Sequence, residues 1–391
     1  MSFRVRAVAG FSLLALLVAG CGGGATKTVP SGTPGEPTWA PWPSALHDAR
    51  HSGASTSDGP QSGKFRWQRQ LETSITPGPV IGADGTIYVA SNTGIFHALD
   101  PATGNDRWTY DLGHAGGGDL SVSALVLPSG DILVPSAQQL VALSPAGVHL
   151  WTQDLPGVPT SPVTANGDRV YVGDMSGGVS AIDVTGGKSH RLVWTVQAGS
   201  GSYGSVVATG TGRLYTTADS GLVAVDDHGS TGKVAWRANP SDGITEVSAG
   251  LAADGTAILG TNGKREWAYH PDGTRAWDSP RTITYSSPSV TANGLVYVGD
   301  HAGFVHVFSV KDGTESATYG PVPTLIWSST VVDRRSDVYF AGQNGHVYGV
   351  TAAGKRLFDV KVGGQVDSYP ALTADGALIV GARNGILTSI S

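Results

Sequence analysis

Residues 62–67 read SGKFRW, a glycine followed four residues later by a tryptophan. The spacing returns at Gly104 to Trp108, Gly147 to Trp151, Gly232 to Trp236, Gly273 to Trp277 and Gly354 to Phe358, and Gly187 reaches Trp194 across a three-residue insertion. Each later copy closes a repeated unit, whereas SGKFRW stands before the first, with Trp67 in the aromatic position. The last unit ends at Ser391 without such a segment. SGKFRW therefore reads as the outer strand of the eighth unit, supplied from the other end of the chain, and a chain that completes its last unit in this way closes a ring.

The units are set out by the turn before a strand: Gly85, Gly130, Gly167, Gly212, Gly255, Gly294, Ser336 and Gly376, between 37 and 45 residues apart. Each turn is followed by a β-branched and aromatic run such as GTIYVAS or GLVYVGD. A Gly- or Asn-containing turn and a second apolar run come next. Two hairpin strands and a closing aromatic strand fit this order. In the sixth unit Gly313 leads to Ala317, and Tyr319, two residues on along the same strand face, is expected to stand in for the aromatic.

This pattern, from Trp67 to Ser391, resembles the pyrroloquinoline-quinone-like (PQQ-like) β-propeller repeats. The resemblance implies an all-β, eight-bladed propeller of four-stranded antiparallel blades, with an aromatic of each outer strand docked on the neighbouring blade. In length, blade number and lipid anchor the chain also resembles the propeller lipoproteins of the bacterial outer-membrane β-barrel assembly machine. Trp67, Trp108, Trp151, Trp194, Trp236, Trp277 and Phe358 are then the docking aromatics, part of the core and not of a ligand cage.

The 391 residues carry 56 glycines and only 14% charged side chains, a composition suited to short strands and tight turns. The formal charge is −6, with no basic tract, so no nucleic-acid partner is expected. Arg4 and Arg6 precede an apolar run from Ala7 to Ala19, the form of an export signal over residues 1–20. It ends in Leu17-Val18-Ala19-Gly20-Cys21, similar to the lipobox of bacterial lipoproteins, and Cys21 is the only cysteine of the protein. Cys21 is thus expected to carry acyl chains (palmitate among them) that hold the protein to the extracytoplasmic side of a bacterial membrane. Residues 21–38 form a Gly- and Pro-rich tether, residues 39–61 a lead-in that packs on the propeller, and residues 62–391 the propeller itself.

Motifs of catalysis are sparse. His47, Asp48 and His51 in the lead-in have helical metal-ligand spacing, but sequence supplies no third and fourth ligand beside them, so packing is the expectation and no metal is assigned. The quinoprotein dehydrogenases, which the repeats also resemble, are longer, place calcium ligands beside the quinone and often carry adjacent cysteines there. This chain has neither a second cysteine nor insertions long enough for such a pocket. No cofactor is expected, and the chain is expected not to be an enzyme.

The stretch before each turn is expected to be the innermost strand. One column there reads Gly78, Ser123, Ser161, Ser205, Ser248, Ser287, Ser329 and Tyr369, small because eight strands crowd one axis. Two residues earlier stand Thr76, Ser121, Pro159, Tyr203, Glu246, Tyr285, Trp327 and Asp367. Tyr203, Glu246, Tyr285, Trp327 and Asp367 at five successive blades are the candidate ligand-binding residues, ringing one mouth of the channel. The resulting expectation is a monomeric, membrane-anchored, non-catalytic scaffold for envelope proteins. Its alternatives are a quinoprotein-like enzyme and a sensor of a small molecule or glycan at the mouth.

Overall fold

The computed structural model describes residues 39–113, 122–185, 189–201, 204–219, 221–240, 247–261, 265–279 and 286–391. The expected signal, Cys21 and the tether lie outside these residues, as do Ser121, Tyr203, Glu246 and Tyr285. Among the described residues, thirty-two strands form eight four-stranded antiparallel sheets, the blades, numbered here from the one anchored at Gly85. The middle strands of a blade are buried on both faces against neighbouring blades, so they appear in sequence as unbroken apolar runs such as Ile87–Ala90. Outer strands alternate between half-buried and exposed positions, as in Asp106–Asp111.

Blade 8 takes its outer strand from the other end of the chain. Phe65–Gln70 pairs with Ile386–Ile390, Trp67 facing Ser389 and Gln70 facing Ile386. Trp67 then donates its indole N–H to the Pro101 carbonyl of blade 1, 2.9 Å away, so the joined ends also carry the last seam of the ring.

The same seat recurs around the ring. Trp108 donates to Pro145 O, Trp236 to Pro271 O and Trp277 to Val310 O, each in the turn between the two outer strands of the next blade. Trp194 reaches the Asp227 carboxylate in the corresponding turn. The spacing from glycine to tryptophan now has a physical cause. The glycine is not there for its own tryptophan: it is the floor on which the preceding blade's ring lies. A Cβ on Gly104 would stand 2.6 Å from the Trp67 ring, and one on Gly273 2.9 Å from the Trp236 ring. In blade 6 Tyr319 occupies the seat and donates its hydroxyl to Ala352 O at 2.9 Å.

In blades 1 to 7 the pairing of the two outer strands shifts register at one place. In blade 1 Ala98 faces Trp108 and Leu99 faces Asp106, which leaves Arg107 as the extra, bulged residue. Blade 8 shows the same irregularity around Arg66. A bulge re-aims its side chain out of the strand's alternation.

The innermost strands are shorter than the sequence pattern suggests, only two or three residues each, such as Val80–Ile81 and Ala371–Leu372. The small column consequently lies in the approach to these strands. Residues 39–61 run over the other end of the axis, beside the turns that follow the inner strands, and the inner strands donate to them in turn: Ile81 N–H to Trp42 O, Val126 to Pro43 O, Ala208 to Ala49 O, Leu251 to Arg50 O, Val290 to His51 O and Val332 to Gly53 O. Six of the eight inner edges are thereby paired by one segment, whose Trp42, Leu46 and His51 are fully buried. Without it those N–H groups would face the channel as open strand edges.

Candidate functional site

The lead-in histidines are used for packing in this arrangement. His47 Nδ1 lies 3.1 Å from Ser52 Oγ, and Ser52 Oγ donates to Asp48 Oδ2 at 2.6 Å. His51 Nδ1 donates to Ala249 O, and burial pushes its pKa down to about 4, so it is a neutral donor near pH 7. Among the described residues no group of three or more His, Cys, Asp or Glu gathers as a metal site.

The end of the axis opposite the lead-in is built from the loops that join one blade to the next and from the turns between the middle strands. In the approach to the inner strands, the small column forms a chain across blades. The Ser205 N–H donates to Ser248 Oγ at 2.8 Å, the Ser248 N–H to Ser287 Oγ at 3.1 Å, and Ser248 Oγ to Ser205 Oγ at 2.9 Å. Tyr369, the one large member, reaches from blade 8 to the Ser287 hydroxyl of blade 6, and burial raises its pKa. Gly78 beside it has no room for a side chain, since a Cβ would lie 2.8 Å from Tyr369 O. A small column is thus required by crowding, and its single bulky residue is matched by its single glycine.

Two sequence assignments need correction here. In blade 3 Thr164 pairs with Tyr171 as Val80 pairs with Tyr88, so its column positions lie one residue later than those read from the sequence. Pro162 and Thr160 hold the two column positions there, in place of Ser161 and Pro159. Ser161 instead turns back to its own blade, accepting the Gly173 N–H at 2.9 Å, as Ser328 accepts that of Ala341. The second correction concerns the mouth. Its described residues lie outside the strands, and Asp367 does not offer a vacant acceptor: it is bound by the Arg383 guanidinium and the Gln343 and Gln365 amides.

Trp327 does stand at the mouth, donating its indole N–H to His301 Nε2 at 3.1 Å. Burial holds His301 below its ordinary pKa, in keeping with an acceptor nitrogen. Thr76 Oγ1 donates to Asn92 Oδ1 on the neighbouring turn. Sequence reasoning did not find three further residues of this face: Val158, Met175 and Leu325, 41%, 53% and 38% exposed. Met175 N–H donates to Val158 O, which places both on one rim, and Leu325 lies two residues from Trp327. Isolated apolar residues in turns carry no periodic signal.

Among the described residues, those at this end of the axis do not fit a quinone beside a metal. Asp367, the described carboxylate of the ring, is already bound by a cation and two amides, and the Tyr369 side chain spans from blade 8 to Ser287 of blade 6.

Fold and site together define a PQQ-like eight-bladed β-propeller with one axial end covered by its own lead-in and the other open to loops. The chain belongs to the family whose model is described as outer membrane protein assembly factor BamB, matched over residues 56–190 and 188–391. A curated relative is Protein Rv3035 of Mycobacterium tuberculosis, 22% identical over 292 residues, which cover 66% of this chain and 70% of that protein. Among solved structures, BamB from Moraxella catarrhalis matches at a TM-score of 0.67 and 14% identity, over 84% of this chain and 99% of that one. The quinohemoprotein alcohol dehydrogenase of Comamonas testosteroni matches at 0.70 and 14%, over 89% and 80%. At such identities the structural likeness speaks for the fold, which a factor of assembly and a dehydrogenase share.

Proposed function

We propose that this protein is an exported lipoprotein, held by acyl chains at Cys21, whose propeller is a non-catalytic scaffold for other envelope proteins. The observation that carries the reading is the asymmetry of the two axial ends. The lead-in covers one with backbone hydrogen bonds, while three of the six exposed large apolar residues among the described residues, Val158, Met175 and Leu325, stand on the other. Apolar side chains presented on a rigid ring suit protein contact, with affinity drawn from a few such anchors. Membership of a family named for outer-membrane protein assembly supports the same reading. Trp327 and, in the sequence, Tyr203, Glu246, Tyr285 and Asp367 would belong to this surface.

The test is photo-cross-linking in native membranes, with a photoreactive residue at position 175, 325 or, on the opposite rim, 129. Discrete protein adducts from 175 and 325 but not from 129 are expected. Equal adducts from all three positions, or none from the first two, would overturn the assignment of this face. A quinone enzyme would instead show quinone absorbance in the protein purified from its own membranes.

A further inference from the structure

The bulged residue before each docking aromatic has a definite use in two blades. In blade 1 Arg107 Nη1 donates to Asp84 Oδ2 at 2.6 Å and to Thr86 Oγ1 at 2.5 Å, while Nη2 reaches Asp100 Oδ2 at 3.3 Å. In blade 8 Arg66 donates to Asp375 Oδ2 at 2.5 Å and to Asp375 O at 3.2 Å. Asp84 and Asp375 each immediately precede the anchor glycine of the blade. Only one other blade has a carboxylate there, Asp254 of blade 5, in the stretch AADGT that matches GADGT of blade 1. Its bulged residue is Ala276, the position skipped where Ala268 faces Trp277 and Tyr269 faces Arg275. Arg275, one residue earlier, is turned away, lying over the Trp267 ring.

Where the guanidinium would be, blade 5 has a cleft of about 620 Å³ on its seam with blade 6. Asp254, Thr256, His270 and Ala276 line it, the counterparts of Asp84, Thr86, Asp100 and Arg107, and Asn293 and Lys311 of blade 6 face them. We infer that this cleft is a vacated arginine socket and binds a guanidinium group brought from outside the chain. Asp254 supplies the charge and Thr256 Oγ1 the second acceptor, in the geometry that the chain itself fills at Arg107. The planar fork of a guanidinium suits that pair of acceptors, where an ammonium would engage as a point charge. No ion pair joins Lys311 to Asp254, and its ammonium on the far wall suits a ligand that also carries a carboxylate. The site lies on the side of the ring away from Met175 and Trp327, so it is independent of the loop-face scaffold.

The experiment titrates the full chain with N-acetylarginine amide, N-acetylcitrulline amide and free arginine, following backbone amide NMR shifts of Ala276 and Asn293–Leu295. The arginine probes should give saturable shifts at these positions. The citrulline probe, which keeps the shape but not the charge, should bind at least about tenfold more weakly, and Asp254→Asn should weaken the arginine probes as much. Tighter binding of the amide would point to an arginine within a partner protein, tighter binding of free arginine to a small molecule engaging Lys311. Ala276→Arg should refill the socket, abolish probe binding and raise Tm, a rise lost in the Asp254→Asn background. Equal binding of citrulline and arginine probes, or shifts that survive Asp254→Asn, would overturn the inference. So would Ala276→Arg leaving probe binding intact.

Discussion

At the scale of single residues, the fold depends on side chains that touch another blade. Trp67 has its ring on Gly104, whose φ of 71° already lies in the region that favours glycine. Gly104→Ala should therefore destabilise by both strain and contact. Trp67→Ala should cost about 3–5 kcal/mol by denaturant unfolding, as for other buried aromatics. A second residue ties stability to pH. His306 is buried between Asp300 Oδ2 at 3.1 Å and Glu315 Oε1 at 2.7 Å. Burial alone would lower its pKa, but the bonds to the two carboxylates outweigh it and hold the value above the ordinary one. A raised pKa in the folded state means that the protonated ring stabilises fully below its unfolded value of roughly 6.5, and that this contribution fades as pH rises through the folded value. The Tm difference between the wild type and His306→Gln should be largest in mildly acidic buffer and shrink toward alkaline pH. A difference that grows with pH would contradict the clamp.

Among the elements, the lead-in is the one whose role the sequence concealed. It has no repeat, little apolar periodicity and three non-glycine residues at positive φ: Leu46, His47 and His51. Its carbonyls nevertheless pair the inner strands of six blades, and those strands are only two or three residues long. Deleting residues 22–60 should lower Tm well beyond the effect of deleting residues 22–36, and hydrogen exchange should accelerate at Ile81, Val126, Ala208, Leu251, Val290 and Val332 together. Exchange that stays slow at these amides after the larger deletion would show that the inner strands hold without their cover. The middle strands were legible because burial on both faces demands unbroken apolar runs. The inner strands were legible in place, before each turn, but not in length, because two residues are too few to carry a period.

For the whole molecule, closure is the decisive property. The strand Phe65–Gln70 joins Ile386–Ile390 by pairing and blade 1 by Trp67, so its loss opens one blade edge and one seam at once. A chain that starts after Gln70 should unfold at lower denaturant than one lacking only residues 22–60. Hydrogen exchange in it should be fastest in blades 8 and 1 and fall toward the far side of the ring. Uniform exchange around the ring would mean that the blades stand independently of closure.

The amino-acid sequence by itself determined the number of blades, the period, the aromatic seats and the closing strand. Each of these is a local pattern repeated until its phase is unmistakable, and the unmatched SGKFRW admits only one partner. Which side chains meet across blades was decided by the tertiary structure. A bulge of one residue sends Arg107 to Asp84 and leaves Ala276 before a cleft, and an offset of one residue in blade 3 exchanges Ser161 for Pro162 at the axis. Tyr369 spans two blades to Ser287, and Arg383 with two glutamines takes the acceptor that Asp367 would have offered. Apart from the neighbouring Gln365, these contacts join residues from 16 positions apart, as for Arg383 and Asp367, to several tens apart, as for Tyr369 and Ser287. Their geometry exists only once eight similar sheets are fixed around one axis, where a shift of a single residue reverses the direction in which a side chain points.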